Sequence, residues 1–191
     1  MSVCKKCGRK GLLLRVDRTG LCDACARARR AGLYHLCFED KAGDPPRKLT
    51  DEAIRRAAIQ RAENLLRIVM ESARLLETTA KPETFYSRLG QLTQRLDDLA
   101  RFEAVDPTLF AAGLPSALRP EIDAAASEAE TRMWSRAYEA MMDRAGGLKT
   151  DKARANAVAR FFDNARGYEA QMGGAARQRL DALERRHAVG P

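Results

Sequence analysis

Residues 3–30 read VCKKCGRKGLLLRVDRTGLCDACARARR and carry two C-x-x-C pairs. Cys4 and Cys7 form the first pair, and Cys22 and Cys25 form the second. A C-x-x-C turn brings two sulfurs onto one tetrahedral ion, and a second pair at this separation completes the coordination shell. We therefore predict that Cys4, Cys7, Cys22 and Cys25 bind one Zn²⁺ ion. Four thiolate ligands leave no position for water, so the predicted ion is structural and not catalytic.

Other chemistries of the four cysteines need a different context. A thioredoxin-like redox pair belongs beside a βαβ pattern, which the flanking sequence lacks, and disulfides belong to an oxidising compartment. The N-terminus has no apolar stretch typical of a secretory signal, and no run of about eighteen apolar residues occurs. We therefore expect a cytoplasmic protein that does not associate with membranes. An iron–sulfur cluster held by four cysteines stays open as an alternative.

The residues around the cysteines predict the local fold. Gly8 follows Cys7 and allows a positive φ that turns backbone N–H groups towards the sulfurs. Residues 12–21 have apolar arms around the turn sequence Asp-Arg-Thr-Gly, which predicts a β-hairpin. No glycine follows Cys25; good helix formers occupy residues 24–31, and we expect Gly32 to end that helix.

A knuckle, a hairpin and a helix that carries the second pair in its first turn resemble the treble-clef zinc finger. In particular, the pattern CxxCG-K-G-L-x-L…GLCxxC resembles the short finger that opens many small bacterial and prophage proteins. A zinc ribbon would repeat the glycine after the second pair. The resemblance covers roughly residues 3–32 and implies a metal-stabilised fold without implying a particular activity.

The positive charge of the chain is concentrated near its start. Residues 1–48 contain 12 Lys and Arg against 5 Asp and Glu, whereas residues 49–191 contain 22 against 21. Such a dense basic segment is typical of a surface that contacts nucleic-acid phosphates. The predicted contacts are Lys5, Lys6, Arg9, Lys10, Arg15, Arg18, Arg27 and Arg30. Helical spacing places Arg27 and Arg30 on one face and turns Arg29 away from it.

The kind of partner is less defined than the charge. Tyr34 and Phe38 are the aromatic residues of this segment, so base stacking on single strands is poorly supported, and duplex DNA or structured RNA is favoured. The alternative is a protein-interaction adaptor or inhibitor of phage or mobile-element origin, in which the finger is structural only. A basic finger that merely increases solubility also stays open.

The rest of the chain predicts a mainly α protein. We expect a zinc finger over residues 1–40, a linker over 41–48 (KAGDPPRK) and a helical domain over 49–191, built from two αα-hairpins and a C-terminal helix. Thr50 is the predicted N-cap of the first arm, and Glu83 opens the second after Lys81-Pro82. Apolar residues recur at three- and four-residue steps, as in a helical bundle or coiled coil, at Ile54, Ala58, Ala62, Leu65, Val69, Ala73 and Leu76, and at Phe85, Leu89, Leu92, Leu96, Leu99 and Phe102.

The second hairpin is expected after a stretch rich in helix breakers. Residues 105–120 allow at most a short helix, capped by Asp106. Two arms follow, over about 121–144 and from Thr150 to Met172, with Gly146-Gly147 between them and Gly173-Gly174 before a last helix. Their inward residues are Ile122, Ala126, Ala129, Met133, Ala137 and Met141, then Val158, Phe161, Ala165, Tyr168 and Met172, then Leu180 and Leu183. These apolar stripes form either a bundle core or a seam for a protein partner or a homo-oligomer.

Sequence signals for catalysis are missing. The chain has two histidines, His35 and His187, and no HExxH, Gly-x-Ser-x-Gly or Rossmann motif. The segment Gly146–Thr150 faintly resembles a phosphate loop but lacks the preceding strand, so we predict a helix break and an N-cap. We predict a non-enzymatic protein without an evident small-molecule substrate, although a site assembled across helices stays open.

Cys37 is the cysteine left over from the two pairs, and His35 lies two residues before it. The segment around them predicts that Leu33, Leu36, Cys37 and Phe38 pack the finger against the helices, since a small thiol is a common core residue. The alternative is a substitute ligand or a reactive thiol.

Overall fold

A computed structural model describes residues 2–11, 14–38, 49–110 and 114–188, and the predicted linker over 41–48 lies outside them. The described chain is mainly helical, with one small antiparallel sheet at its N-terminus. The strands are β1 (Ser2–Val3) and β2 (Lys10–Gly11). The helices are α1 (Asp23–Phe38), α2 (Asp51–Glu77), α3 (Pro82–Val105), α4 (Leu114–Gly146), α5 (Asp151–Arg166) and α6 (Gly174–Ala188), with a 3₁₀ helix at Pro107–Leu109. Among the described residues, no helix combines the length and apolarity needed to cross a bilayer.

The two strands enclose the first cysteine pair. β1 and β2 pair antiparallel, with Ser2 opposite Gly11 and Val3 opposite Lys10. The hairpin predicted over residues 12–21 is present in shorter form, because Val16 pairs with Cys22 through a single bridge around the turn at Asp17–Gly20. Leu12 and Leu13 of its first arm lie outside the described residues.

Helix α1 corrects one prediction. Gly32 does not end it, and the helix continues to Phe38. A Cβ atom at Gly32 would lie 2.9 Å from Cγ1 of Val105, at the end of α3. The glycine therefore allows two helices to approach closely, and helical geometry continues through it because packing outweighs its low helix propensity.

The chain divides into two compact units. Unit 1 comprises Met1–Arg67 and Leu96–Ser116, and unit 2 comprises Ile68–Arg95 and Ala117–Pro191. The core of unit 1 contains Leu33, Ile54, Ala58, Ala62 and Phe102, with Leu36, Cys37 and Phe38 packed against it. The predicted packing of this segment is confirmed, whereas the division into a finger over 1–40 and a helical domain over 49–191 stays a prediction.

Helices α2 and α3 begin where the sequence predicts. The Thr50 Oγ1 atom accepts a hydrogen bond from the Ala53 N–H at 3.2 Å, which confirms the N-cap, and α3 starts at Pro82 directly after the turn. Most residues of both predicted stripes are buried, among them Ile54, Ala58, Ala62, Val69, Leu76, Phe85, Leu92, Leu96, Leu99 and Phe102. These stripes therefore form core within the chain.

Helix α4 begins earlier than predicted, at Leu114 instead of residue 121. Pro115 lies in the first turn, where a helix has no partner for the backbone N–H that proline lacks. Pro120 lies inside the helix and removes the hydrogen bond to the Ser116 carbonyl, a loss that α4 tolerates. The Asp106 cap of the preceding 3₁₀ helix is confirmed, since Oδ1 accepts from the Thr108 N–H at 3.1 Å.

Helix α5 ends earlier than predicted, at Arg166. Tyr168 and Met172 lie in the turns after it, although the sequence pattern places them on the helix. The Tyr168 ring stacks on the Tyr86 ring, with centroids 5.2 Å apart, so the chain turns to complete an aromatic cluster in unit 2. The Thr150 cap is confirmed by an Ala153 N–H bond of 3.2 Å, and Leu180 and Leu183 of α6 are buried.

A buried carboxylate lies in the middle of unit 2. Glu130 is 3% exposed and accepts hydrogen bonds from the Tyr86 hydroxyl at 2.7 Å and from the Gly173 N–H. The Trp134 indole N–H donates in turn to the Tyr86 oxygen at 3.0 Å. The network satisfies Glu130 with neutral donors, so this acid is part of the core.

Candidate metal centre

The four cysteines of the two C-x-x-C pairs converge. The Sγ atoms of Cys4, Cys7, Cys22 and Cys25 all lie within 4.8 Å of one another. Cys4 follows β1 and Cys7 lies in the next turn, whereas Cys22 precedes α1 and Cys25 lies in its first turn. Gly8 has the predicted positive φ, at +70°, but its own N–H donates to the Cys4 carbonyl at 3.0 Å and not to a sulfur.

The sulfur positions fit a tetrahedral metal ion. A Zn–S bond of about 2.3 Å separates tetrahedral sulfurs by about 3.8 Å. The Cys7 and Cys22 Sγ atoms are 3.9 Å apart, close to that separation. Cys4 and Cys22 are buried, Cys25 is half-buried and Cys7 is exposed. The four cysteines are therefore positioned to bind a metal ion.

The electrostatics of the cluster favour a cation. Hydrogen bonds from the backbone of Cys7 and Cys22 lower the pKa of Cys4 to about 6, and the Cys22 N–H lies 3.4 Å from its sulfur. A hydrogen bond with the Cys22 sulfur and burial raise the pKa of Cys25 to about 12. The pKa values of Cys4 and Cys25 thus move in opposite directions, and a bound divalent cation would favour the thiolate form of its ligands.

The loop between the two pairs is closed by Asp17. Its Oδ1 atom accepts from the Thr19 N–H at 2.8 Å, the Thr19 hydroxyl at 2.5 Å and the Leu21 N–H at 3.0 Å. The Thr19 hydroxyl and these backbone donors hold the pKa of Asp17 below its usual value. The loop also contacts the knuckle, because the Lys5 N–H donates to the Gly20 carbonyl at 2.9 Å. Asp17 therefore orders the segment that carries the chain from one cysteine pair to the other.

The cations predicted to contact phosphates fall into two groups. Among the described residues, seven of them make no ion pair and are exposed: Lys5, Lys6, Arg9, Lys10, Arg15, Arg18 and Arg27. Arg30 is already engaged, because Nε lies 2.8 Å from Asp51 Oδ1 and Nη2 donates to the Leu49 carbonyl at 2.8 Å. The structure therefore separates Arg30 from the other predicted contacts.

His35 and Cys37 lie outside the sulfur cluster. Burial raises the pKa of Cys37, and its carbonyl accepts from Arg61 at 3.2 Å, so this residue packs as predicted. The Tyr34 and Phe38 rings contact each other in a tilted arrangement, with centroids 5.1 Å apart, and pack against the core of unit 1. Both rings are therefore partly covered by the protein itself.

The comparisons with known proteins give no relative. No protein-family description matches the chain, and neither a curated protein nor a solved structure matches it significantly.

Arg29 and Glu130 make structural contacts that no sequence motif indicated. The Arg29 guanidinium donates to the Thr19 hydroxyl at 3.1 Å and lies 3.5 Å from Asp17 Oδ2. The one feature of the sequence that distinguishes Arg29 is its helical position, which is on a different face from Arg27 and Arg30. Glu130 follows Ala129 on the inward stripe of α4, and a charged residue beside that stripe could have marked it as a buried acid.

Proposed function

We propose that the four cysteines hold one structural Zn²⁺ ion in a treble-clef arrangement, and that the surface around it binds the phosphates of duplex or structured nucleic acid. The sulfur separations support zinc, because a closed set of four thiolates is a common structural zinc site. The order of knuckle, short hairpin and helix supports the treble clef.

The observation that carries the nucleic-acid proposal is the state of the finger cations. Seven exposed Lys and Arg residues of the segment that carries the cysteines make no ion pair in the described part of the chain. Of the two acids in this segment, Asp17 is paired with Arg29 and Asp23 is exposed. A solubilising surface commonly mixes both signs of charge. A large excess of positive charge on a scaffold braced by a metal fits phosphate groups better.

The position of the aromatic rings supports duplex or folded targets over single strands. Binding of single strands usually relies on exposed rings that stack with bases. Tyr34 and Phe38 are occupied with each other and with the core. Binding then rests on phosphate contacts, which position a protein without reading sequence.

The test is a titration of the zinc-loaded full chain with a DNA duplex and an RNA hairpin at several salt concentrations. We expect affinity to fall steeply with salt, and Arg27→Gln to reduce the slope of log K against log salt by about one. Arg30→Gln is the matched variant, and we expect a smaller change because Arg30 is held by Asp51. Binding that is absent, or that does not depend on salt, would contradict the proposal.

A second candidate is a protein-interaction adaptor whose finger is structural only. It is favoured by the packing of α1 into the core of unit 1, where Leu33 contacts residues of α2 and α3. Oligomerisation or partner binding by the helices belongs to this candidate as well. Full-length protein that binds no duplex or hairpin, yet forms a complex that survives Arg27→Gln, would favour it.

A further inference from the structure

Arg29 connects the loop between the cysteine pairs to a buried acid at the end of α3. Its Nη1 atom donates to the Thr19 hydroxyl at 3.1 Å and also lies 3.9 Å from Asp106 Oδ2. Arg29 follows Cys25 by about one helical turn, so its position depends on the start of α1 that the second cysteine pair anchors. One guanidinium thus reaches both the metal-organised loop and Asp106.

Asp106 is a buried acid that lies beside the Arg29 guanidinium. Its Oδ1 atom is used by the Thr108 N–H at 3.1 Å and by the Thr108 hydroxyl at 2.6 Å. Its Oδ2 atom is buried and has no hydrogen-bond partner, and the residue is 1% exposed. Among the described residues, Arg29 is the cation that forms an ion pair with it. A folded protein is strongly destabilised when a buried carboxylate loses the cation that is paired with it.

A ligand does not explain this unpartnered oxygen. A cavity of about 400 Å³ adjoins it, lined by Lys5, Lys6, Leu21, Glu103 and Pro107 among others. Arg29 and Asp106 line this cavity too, but the Asp106 Oδ2 atom itself exposes less than 1 Å² to solvent. The compensation for Asp106 therefore comes from the protein itself.

We infer that metal binding at the finger locks the segment Asp106–Leu109, which follows α3, through Arg29 and Asp106. This rests on the proposed metal site. When the ion leaves, the Asp17–Gly20 loop and the first turn of α1 lose their anchor, and Arg29 is no longer held beside Asp106. The carboxylate then gains solvation by abandoning its role as the cap of Pro107–Leu109, which opens that segment.

The close approach of α1 to α3 strengthens the coupling. A Cβ atom at Gly32 would lie 2.9 Å from Val105 Cγ1, so α1 passes directly against the residue that precedes Asp106. A displacement of α1 therefore moves both the cation of Asp106 and the side chain next to it. The finger thereby acts as a metal-sensitive latch on this part of unit 1.

The test is hydrogen exchange of the full chain, measured by mass spectrometry with zinc bound and after chelation. The reporters are the Thr108 and Leu109 amides, which bond to Asp106 Oδ1 and to the Asp106 carbonyl. We expect them to exchange about tenfold faster after chelation, while amides in the middle of α6 keep their rate. Faster exchange confined to the cysteine knuckle would overturn the inference.

Variants distinguish the effect of the Arg29–Asp106 contact from the effect of removing the metal ion. Arg29→Met with its ion bound should show the same acceleration at Thr108 and Leu109, whereas Arg27→Met, on the same helix, should not. In the double variant Arg29→Met with Asp106→Asn, the buried charge is gone and chelation should leave these amides unchanged. If the Thr108 and Leu109 amides of zinc-bound Arg29→Met exchange at the same rate as in the unaltered protein, the inference is wrong.

Metal occupancy is read independently from the absorption of bound Co²⁺ in each variant. If no Co²⁺ binds, the metal proposal fails, and with it the coupling to the ion. The comparison of Arg29→Met with Arg27→Met still decides whether Arg29 holds Asp106 in place. Nucleic-acid binding is measured separately, so its failure leaves this result unaffected.

Discussion

Gly173 donates its backbone N–H to both carboxylate oxygens of Glu130, at 3.1 and 3.2 Å. A Cβ atom at this position would lie 2.8 Å from Glu130 Oε2, which is too close for any side chain. The buried acid is thus held by a backbone group that only glycine presents at this distance. The Tyr86 hydroxyl also donates to this carboxylate.

Gly173→Ala should therefore destabilise the protein. The new methyl group displaces the Glu130 carboxylate from its donors inside the core, so we expect the free energy of unfolding to fall by about 1–3 kcal/mol. Urea unfolding measures the change. The control is Gly174→Ala, where no atom lies within 4 Å of the added Cβ. An equal loss in both variants would contradict this account of Gly173.

The same network predicts a loss of stability in alkali. Burial and the hydrogen bond to Glu130 raise the pKa of Tyr86 above its usual 10.0. In the folded state Tyr86 keeps a proton that the unfolded chain loses near pH 10. The contribution of Tyr86 to the free energy of unfolding is therefore complete below pH 10 and declines as the pH rises above it. Urea unfolding between pH 9 and 11.5 should show a shallower decline for Tyr86→Phe. Tyr138→Phe should reduce the loss of stability with pH by less than Tyr86→Phe does. A larger reduction in Tyr138→Phe would show that Tyr86 is not the main cause of the loss.

Two helical glycines should respond to alanine with opposite signs. At Gly32 the Cβ would meet Val105, so Gly32→Ala should destabilise by about 1–3 kcal/mol, and Val105→Ala should relieve part of the loss in the double variant. At Gly90 no atom lies within 4 Å, and alanine should stabilise α3 by about 0.5–1 kcal/mol. Thermal unfolding of the three variants tests this. If Gly32→Ala and Gly90→Ala lose similar amounts of stability, the space around each glycine does not decide the effect of alanine.

Chelation should expose the thiols of the finger. With zinc bound, Cys4, Cys7, Cys22 and Cys25 should react slowly with a thiol reagent, and removal of the ion should make all four reactive. Cys4→Ser should lose tight zinc binding, whereas Cys37→Ser should retain one ion per chain. Thiol titration and metal analysis measure both effects. Unreactive cysteines after complete chelation would show that the ion does not protect them.

Local signals predicted much of the fold. The cysteine cluster follows from spacing alone, because two C-x-x-C turns favour one shared centre. Thr50, Asp106 and Thr150 act as caps as predicted, since a cap depends on hydrogen bonds to neighbours two or three residues away.

Contacts between distant residues account for the errors. Gly32 looked like a helix end because nothing near it in sequence shows that Val105 packs against it. Tyr168 looked helical because its partner, the Tyr86 ring, comes from α3. The sequence indicates only a surface cation at Arg29, because its neighbour Asp106 is distant in the chain. These outcomes depend on which helices meet, which periodicity does not specify.

The graded burial of the four sulfurs bears on how quickly an ion could leave. Cys4 is 1% exposed and Cys22 5%, whereas Cys7 is exposed to solvent. Ligand dissociation would begin at Cys7, since an incoming chelator or oxidant reaches that sulfur before the others. A bound ion would therefore start to leave by breaking its bond to Cys7, and the segment Asp106–Leu109 would respond on the timescale of that step.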